Sequence, residues 1–166
     1  MSNRANTDSS EVRTAGGALV RLLATAEGVG YFPFAPGTAG SLLAAALCFP
    51  LLFLPLAVHV GATLILIVVA IWAAGRVAAE LGQEDPSQVV IDEVAGMWVA
   101  AIALPPTLYD LAAVFLLYRI MDVVKPAPLP RLERLHGGLG IVADDIGAGL
   151  LAAAMWWLLK ANFDFF

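Results

Sequence analysis

Charge is what this sequence has least of. Only 14% of its 166 residues are Asp, Glu, Lys or Arg, against about 25% in ordinary soluble domains, and from Ala39 to Gly75 there is none at all. So few charges cannot cover a water-exposed surface. With 60% hydrophobic residues and a mean hydropathy of +0.83, the apolar surplus is assigned to lipid, in one domain. Basic residues are scarcer than acidic ones, 9 against 14. A general nucleic-acid binder, which needs a basic footprint, is therefore excluded. Cysteine occurs once, at Cys48, so no intrachain disulfide can form, and its apolar surroundings make it a small buried hydrophobe. There is no Gly-x-Ser-x-Gly elbow and no Cys-His pair, so neither Ser nor Cys is expected as a nucleophile. No Gly-Lys-Ser/Thr ending of a nucleotide-binding loop is present, and ATP is not implied. His59 and His136 lack any partner pattern and read as interfacial and loop residues.

What is present is organised by proline and glycine. Residues 1–17 are polar and are expected to form a disordered cytoplasmic tail, leaving 18–166 as the membrane-embedded domain. Ala18 to Ala26 is too short to span and suggests an interfacial helix. Pro50 and Pro55 break the uncharged run into a helical hairpin with arms at about Thr38 to Phe49, capped by Thr38, and Leu56 to Ala79. Asp85-Pro86-Ser87-Gln88 has the pattern of a helix start, which predicts a helix to Leu104. Pro105-Pro106 turns the chain, and Thr107 caps a further helix to about Val124. Pro126, Pro128 and Pro130 with Gly137-Gly138 make a polar loop, and a last helix begins near Asp144 and runs to Leu159. Trp156, Trp157, Lys160, Phe163, Phe165 and Phe166 suggest an interfacial anchor. The expected fold is thus all-α, a polytopic membrane bundle of about five helices. Arg and Lys fall before the first arm, after the second and after the fourth helix, and none lies in the turns at 50–55 and 105–107. That places the polar loops inside the cell, with the polar site on the cytoplasmic face.

This topology gathers carboxylates at one level. Asp92 and Glu93 fall in the second turn of the third helix, Asp122 in the last turn of the fourth, and Asp144 and Asp145 at the start of the fifth. Ionisable groups at membrane depth mark function, and carboxylates so crowded repel unless a cation lies among them. Oxygen ligands without His or Cys favour Mg²⁺ or Mn²⁺ over zinc. Asp92, Glu93, Asp144 and Asp145 are the candidate metal ligands, and these with Asp122 are the candidate catalytic residues. Ala95-Gly96 offers a small surface for a neighbouring backbone. Arg119, Asp122 and Lys125 share one side of their helix, as an ion-pair ladder or as phosphate ligands. Gly28 to Ser41 is a glycine- and proline-rich loop entering a helix, and helix N-termini bind anions. Thr38 and Ser41 there join Arg119 and Lys125 as candidate phosphate contacts. A cation transporter or channel is the alternative, but its carboxylates belong near mid-membrane, away from Arg and Lys.

Four motifs in order resemble the phosphatidylglycerophosphatase A family: Gly30-Tyr31 through Pro36-Gly37-Thr38-Ala39-Gly40-Ser41; Val90-Ile91-Asp92-Glu93-Val94-Ala95-Gly96; Tyr118-Arg119 with Asp122 and Lys125-Pro126-Ala127-Pro128; and Gly137-Gly138-Leu139-Gly140-Ile141 with Asp144-Asp145 and Ala148-Gly149. Leu129 and Tyr118 stand where the family often has Ile and Phe, and neither change removes a polar group. The resemblance implies Mg²⁺-dependent hydrolysis of phosphatidylglycerophosphate to phosphatidylglycerol and phosphate in a bacterial inner membrane. Its partners would be the phospholipid substrate and the bilayer. CDP-alcohol phosphotransferases, which also bind metal through Asp, are set aside because their Asp-Gly-x-x-Ala-Arg run is absent.

Overall fold

The computed structural model describes residues 17–162 except Glu133. All of the expected tail but Gly17, and the aromatic end Phe163, Phe165 and Phe166, lie outside the described residues. The described chain is all-helical: α1 (17–24), α2 (Pro36–Cys48), α3 (Leu56–Leu81), α4 (Ile91–Ala100), α5 (Leu108–Val124) and α6 (Gly138–Asn162), with 3-10 turns between several of them. That is six α-helices where about five were expected, the short α1 being the additional one. Among the described residues three segments are long and apolar enough to cross a membrane, Pro36–Phe53, Leu56–Leu81 and Gly138–Asn162, which suggests membrane association.

Three helices start elsewhere than expected, which moves polar residues along them. Helix α4 starts at Ile91, not after Asp85, because residues 84–90 are held as irregular chain. The Val90 N–H donates to the Ala24 carbonyl at 2.9 Å, Pro86 is buried, and the Gln88 carbonyl lies so near Gly30 that a Cβ there would come within 1.9 Å of it. At the other end the chain leaves the helix over 101–103, Ala103 taking a φ of 63° before the prolines. The remaining ten residues rise about 15 Å, half a hydrocarbon core, so α4 is not the span that its sequence suggested. Eight of the ten are buried. Helix α4 is an internal strut packed against α2, α3, α5 and α6, and its nearly continuous apolar sequence follows from being covered on every side.

Helix α6 starts at Gly138, six residues before Asp144. Asp144 and Asp145 therefore sit in its second turn and cannot be its N-cap. Helix α2 likewise starts at Pro36, with Ala35 preceding it in the left-handed region, so Thr38 is inside the first turn and caps nothing.

Small residues set the distances between helices. A Cβ on Gly149 of α6 would lie 2.3 Å from the Gly96 carbonyl of α4, and one on Gly138 would lie 1.9 Å from the Ile71 carbonyl of α3. Outward faces are apolar instead: Ile65 and Val68 on α3, Leu116, Ile120 and Val123 on α5, and Leu150 and Leu158 on α6 are all exposed. Such apolar outward faces are in keeping with the membrane association that the three long apolar segments suggest.

At the end of the bundle formed by the hairpin turns the polar groups are turned inward. Asp110, buried in the first turn of α5, accepts from Trp156 Nε1 at 3.0 Å and from Lys160 Nζ at 2.7 Å, and from the capping Thr107 hydroxyl. Trp156 and Lys160 are thus not the interfacial anchor expected of them, whereas Trp157 is exposed. His59 is also buried, in the first turn of α3, with its Nε2 3.5 Å from Cys48 Sγ. The antiparallel turn brings together a Cys-His pair that eleven residues of separation concealed.

Candidate active site

The C-terminal ends of α3 and α5 and the N-terminal ends of α2, α4 and α6 border one cavity of about 880 Å³. Alternating helix directions bring the predicted motifs to one level, as the hairpin topology requires. Asp92, Glu93, Asp122, Lys125, Asp144 and Asp145 all line it, with Pro36 and Gly37 at the start of α2.

Each acidic group is held differently. Asp92 and Glu93 occupy the first turn of α4, not the second, where the helix dipole favours negative charge. Asp92 is buried, and its Oδ1 and the Glu93 Oε2 have no hydrogen-bond partner. The other Glu93 oxygen rests against Gly37, where a Cβ would approach it to 2.0 Å, so only glycine lets this carboxylate reach the start of α2. Asp145 is buried and accepts from the hydroxyl of Tyr118, itself fully buried. Asp144 accepts from Lys125 Nζ at 2.7 Å. Asp122 accepts from Arg119 Nη1 at 2.6 Å.

The cations are equally fixed. Arg119 Nη1 also donates to Ser41 Oγ at 3.2 Å, and Ser41 donates to the Gly37 carbonyl at 2.7 Å. Among the described residues the Arg119 Nε has no hydrogen-bond partner. Lys125 follows α5 with a φ of 45°, in the left-handed region, and caps the helix with its N–H on the Met121 carbonyl at 2.8 Å. The ladder expected along α5 is therefore only half made. Arg119 pairs with Asp122, and Lys125 reaches across to α6. Thr38 is exposed and does not line the cavity; Ser41 is buried and positions Arg119.

The donor set fits a hard divalent cation. Asp122, Asp144 and Asp145 each offer an oxygen within 4.8 Å of the others. Seven carboxylates line the cavity, Glu84, Asp85, Asp92, Glu93, Asp122, Asp144 and Asp145, against the cations Lys125 and Arg134. Buried carboxylate oxygens without donors, beside others of like charge, are costly unless a cation coordinates them. The trio offers only oxygen, as Mg²⁺ requires. This trio keeps Asp144 and Asp145 of the ligands read in the sequence and takes in Asp122, whereas Asp92 and Glu93 are not part of it.

Tyr118 was present in a motif without a role, and Asp110 was not singled out at all. The Thr107-x-x-Asp110 spacing at a helix start, with Trp156 and Lys160 four apart, was the available signal for the latter.

The family profile for Phosphatidylglycerophosphatase A matches residues 22–160. A "Putative phosphatidylinositol-3-phosphatase" of Bacteroides thetaiotaomicron is 40% identical over 148 residues, 81% of this chain and 92% of its own. "Phosphatidylglycerophosphatase A" of Escherichia coli is 36% identical over 140 residues, 83% of this chain and 81% of its own. The Haemophilus influenzae protein of the same name is 31% identical over 148 residues, 84% and 91% respectively. No solved structure matches.

Proposed function

Because the chain belongs to the phosphatidylglycerophosphatase A family and is a lipid phosphatase, we propose that it hydrolyses the terminal phosphate of phosphatidylglycerophosphate, using Mg²⁺ held at the carboxylate floor of the cavity. The observation carrying this reading is the close trio Asp122, Asp144 and Asp145 beside the orphaned oxygens of Asp92 and Glu93, with Lys125 in the same cavity and Arg119 held by Asp122.

Asp122, Asp144 and Asp145, with Asp92 and Glu93, would hold the metal, which supplies a Lewis acid for the phosphoryl group and an activated water. Lys125, kept at the cavity by Asp144 and by its turn after α5, offsets charge on the phosphoryl oxygens as it develops. Arg119, which does not line the cavity, holds Asp122 in place and is itself oriented by Ser41. Tyr118 fixes the rotamer of Asp145 through its hydroxyl. Glu93 occupies the place beside Gly37 where an anion would meet the α2 N-terminus, so that terminus stabilises Glu93 and the phosphate is left to Lys125.

The cavity would face the cytoplasm of a bacterial inner membrane. Supporting this, Arg76, Lys125, Arg131 and Arg134 belong to the cavity end, and the turns at 50–55 and 101–107 carry no basic residue. A cation pathway is disfavoured because Lys125 pairs directly with the acidic floor.

The test is phosphate release by purified protein from phosphatidylglycerophosphate in mixed micelles. Phosphatidylglycerol and phosphate should appear in equal amounts, stop with a chelator and resume with added Mg²⁺. No release at saturating Mg²⁺ would refute the reading.

A further inference from the structure

The cavity is larger than the chemistry on its floor needs. At about 880 Å³ it has the size of pockets that enclose whole ligands, roughly 300–1,000 Å³, whereas a phosphate and its metal occupy only the carboxylate end. The outer part has two walls. One is the end of α3 and the loop after it, with the small Gly75, Ala78, Ala79 and Gly82, then Gln83 and Ser87. The other is the loop before α6, with Arg134, Leu135, His136 and Gly137.

Arg134 and Lys125 are the cations of the lining, and Lys125 is tied to Asp144. Among the described residues Arg134 makes no ion pair or hydrogen bond, and neither does His136 two residues on. Glu84 and Asp85 line the same outer part. An anion placed there meets like charge unless a cation answers it. Arg134 and His136 are both exposed, and the forked donors of a guanidinium suit phosphate oxygens.

We propose that Arg134, with His136 beside it, binds a second, phosphodiester group of the substrate, and so selects lipids whose phosphomonoester is separated from a phosphodiester by a short polyol. This deepens the proposed function and rests on it. Once the terminal phosphate is on the carboxylate floor, the polyol lies between the small-residue wall and Gln83 and Ser87, and the phosphodiester reaches the rim on its way to the bilayer. Glycerol and inositol spacers both satisfy this arrangement. Phosphatidic acid, whose phosphomonoester is attached directly to the diacylglycerol, leaves Arg134 without a partner. Arg134 is a specificity residue in this account; it does not touch the reacting phosphorus.

The experiment compares kcat/KM on phosphatidylglycerophosphate and on phosphatidic acid, at equal surface concentration in mixed micelles, for the wild type, Arg134→Ala, Arg134→Lys and His136→Ala. The wild type should prefer phosphatidylglycerophosphate. Arg134→Ala should lower that preference roughly tenfold to a hundredfold, chiefly through KM, as loss of a charge-assisted contact does. Arg134→Lys should recover part of it, and His136→Ala should fall less than Arg134→Ala. Phosphatidylglycerol, which keeps the phosphodiester and lacks the phosphomonoester, should inhibit Arg134→Ala more weakly than wild type. An unaltered preference in Arg134→Ala, or equal losses on both substrates with unaltered inhibition, overturns the inference while leaving the proposed function standing. A wild type inactive on phosphatidylglycerophosphate overturns both.

Discussion

Replacing Gly96 by alanine adds one methyl group at the point where α4, α5 and α6 converge on the site. Its Cβ would lie 2.6 Å from the Asp145 carbonyl oxygen and 2.7 Å from the Tyr118 hydroxyl. Ordinary contact needs about 3.5 Å, so α4 and α6 must part by roughly 1 Å. Overpacking of this kind costs about 1–3 kcal/mol. Alanine returns up to about 1 kcal/mol of helix propensity, so stability should fall modestly. Activity should fall much further, because the methyl group pushes on Asp145 and on the Tyr118 hydroxyl that holds it, and a misplacement of about 1 Å in a catalytic constellation costs on the order of 10²-fold. Gly61→Ala in α3 is the control, since nothing lies within 4 Å of its added Cβ, and it should melt at or above the wild-type temperature with full activity. Thermal unfolding in detergent and phosphate release, measured on the same preparations, separate the two effects. A Gly96→Ala protein as active as Gly61→Ala would refute the close approach of α4 to α6 and the coupling to Asp145 built on it.

Three further outcomes are expected. Lys125→Ala should lower kcat/KM on the order of 10²-fold, because the lost charge acts most in the transition state; Lys125→Arg should also lose activity, by less, since a guanidinium carries its charge farther along the stem. Asp110→Ala leaves the Trp156 N–H and a Lys160 that is only 20% exposed without their acceptor; breaking a buried pair costs about 3–5 kcal/mol, reduced here by that exposure, so the melting temperature in detergent should drop while the Mg²⁺ requirement of the remaining folded protein stays. With Cys48 replaced by serine, a cysteine at Leu108 should react with an impermeant thiol reagent in intact spheroplasts and one at Ser87 only after the membrane is opened; the opposite pattern would invert the proposed orientation.

Much of this arrangement was legible because proline, glycine and charge act locally. Pro50, Pro55, Pro105 and Pro106 mark turns that do occur, and the absence of charge from Ala39 to Gly75 identifies two of the three apolar spans. The levelling of Asp92, Asp122, Asp144 and Asp145 followed from helix directions alone. What local signals misplaced were helix starts. Asp85-Pro86-Ser87-Gln88 has the residues of a helix N-terminus, but burial of Pro86 and the Val90–Ala24 hydrogen bond hold it as loop. Asp144 was expected near the start of the last helix, yet the helix extends back to Gly138, where the α3 backbone leaves no room for a Cβ. Partner choice was also illegible from spacing: Lys125 could have paired along α5 with Asp122, and only the position of α6 gives it Asp144. The inward positions of Trp156 and Lys160, and any role for Asp110, were illegible because residues 46 and 50 apart in sequence give no periodic signal of contact.

The central claim is that these carboxylates form a metal site on the cavity floor, and metal binding to the folded protein tests it most directly. Mn²⁺ serves as a paramagnetic substitute for Mg²⁺, with binding followed by electron paramagnetic resonance on purified wild type, Asp145→Asn and Asp122→Asn, each shown to be folded by its melting transition. The account predicts that wild type binds Mn²⁺ in competition with Mg²⁺, and that both variants bind it at least tenfold more weakly and release no phosphate. Wild-type Mn²⁺ affinity in both folded variants would contradict it.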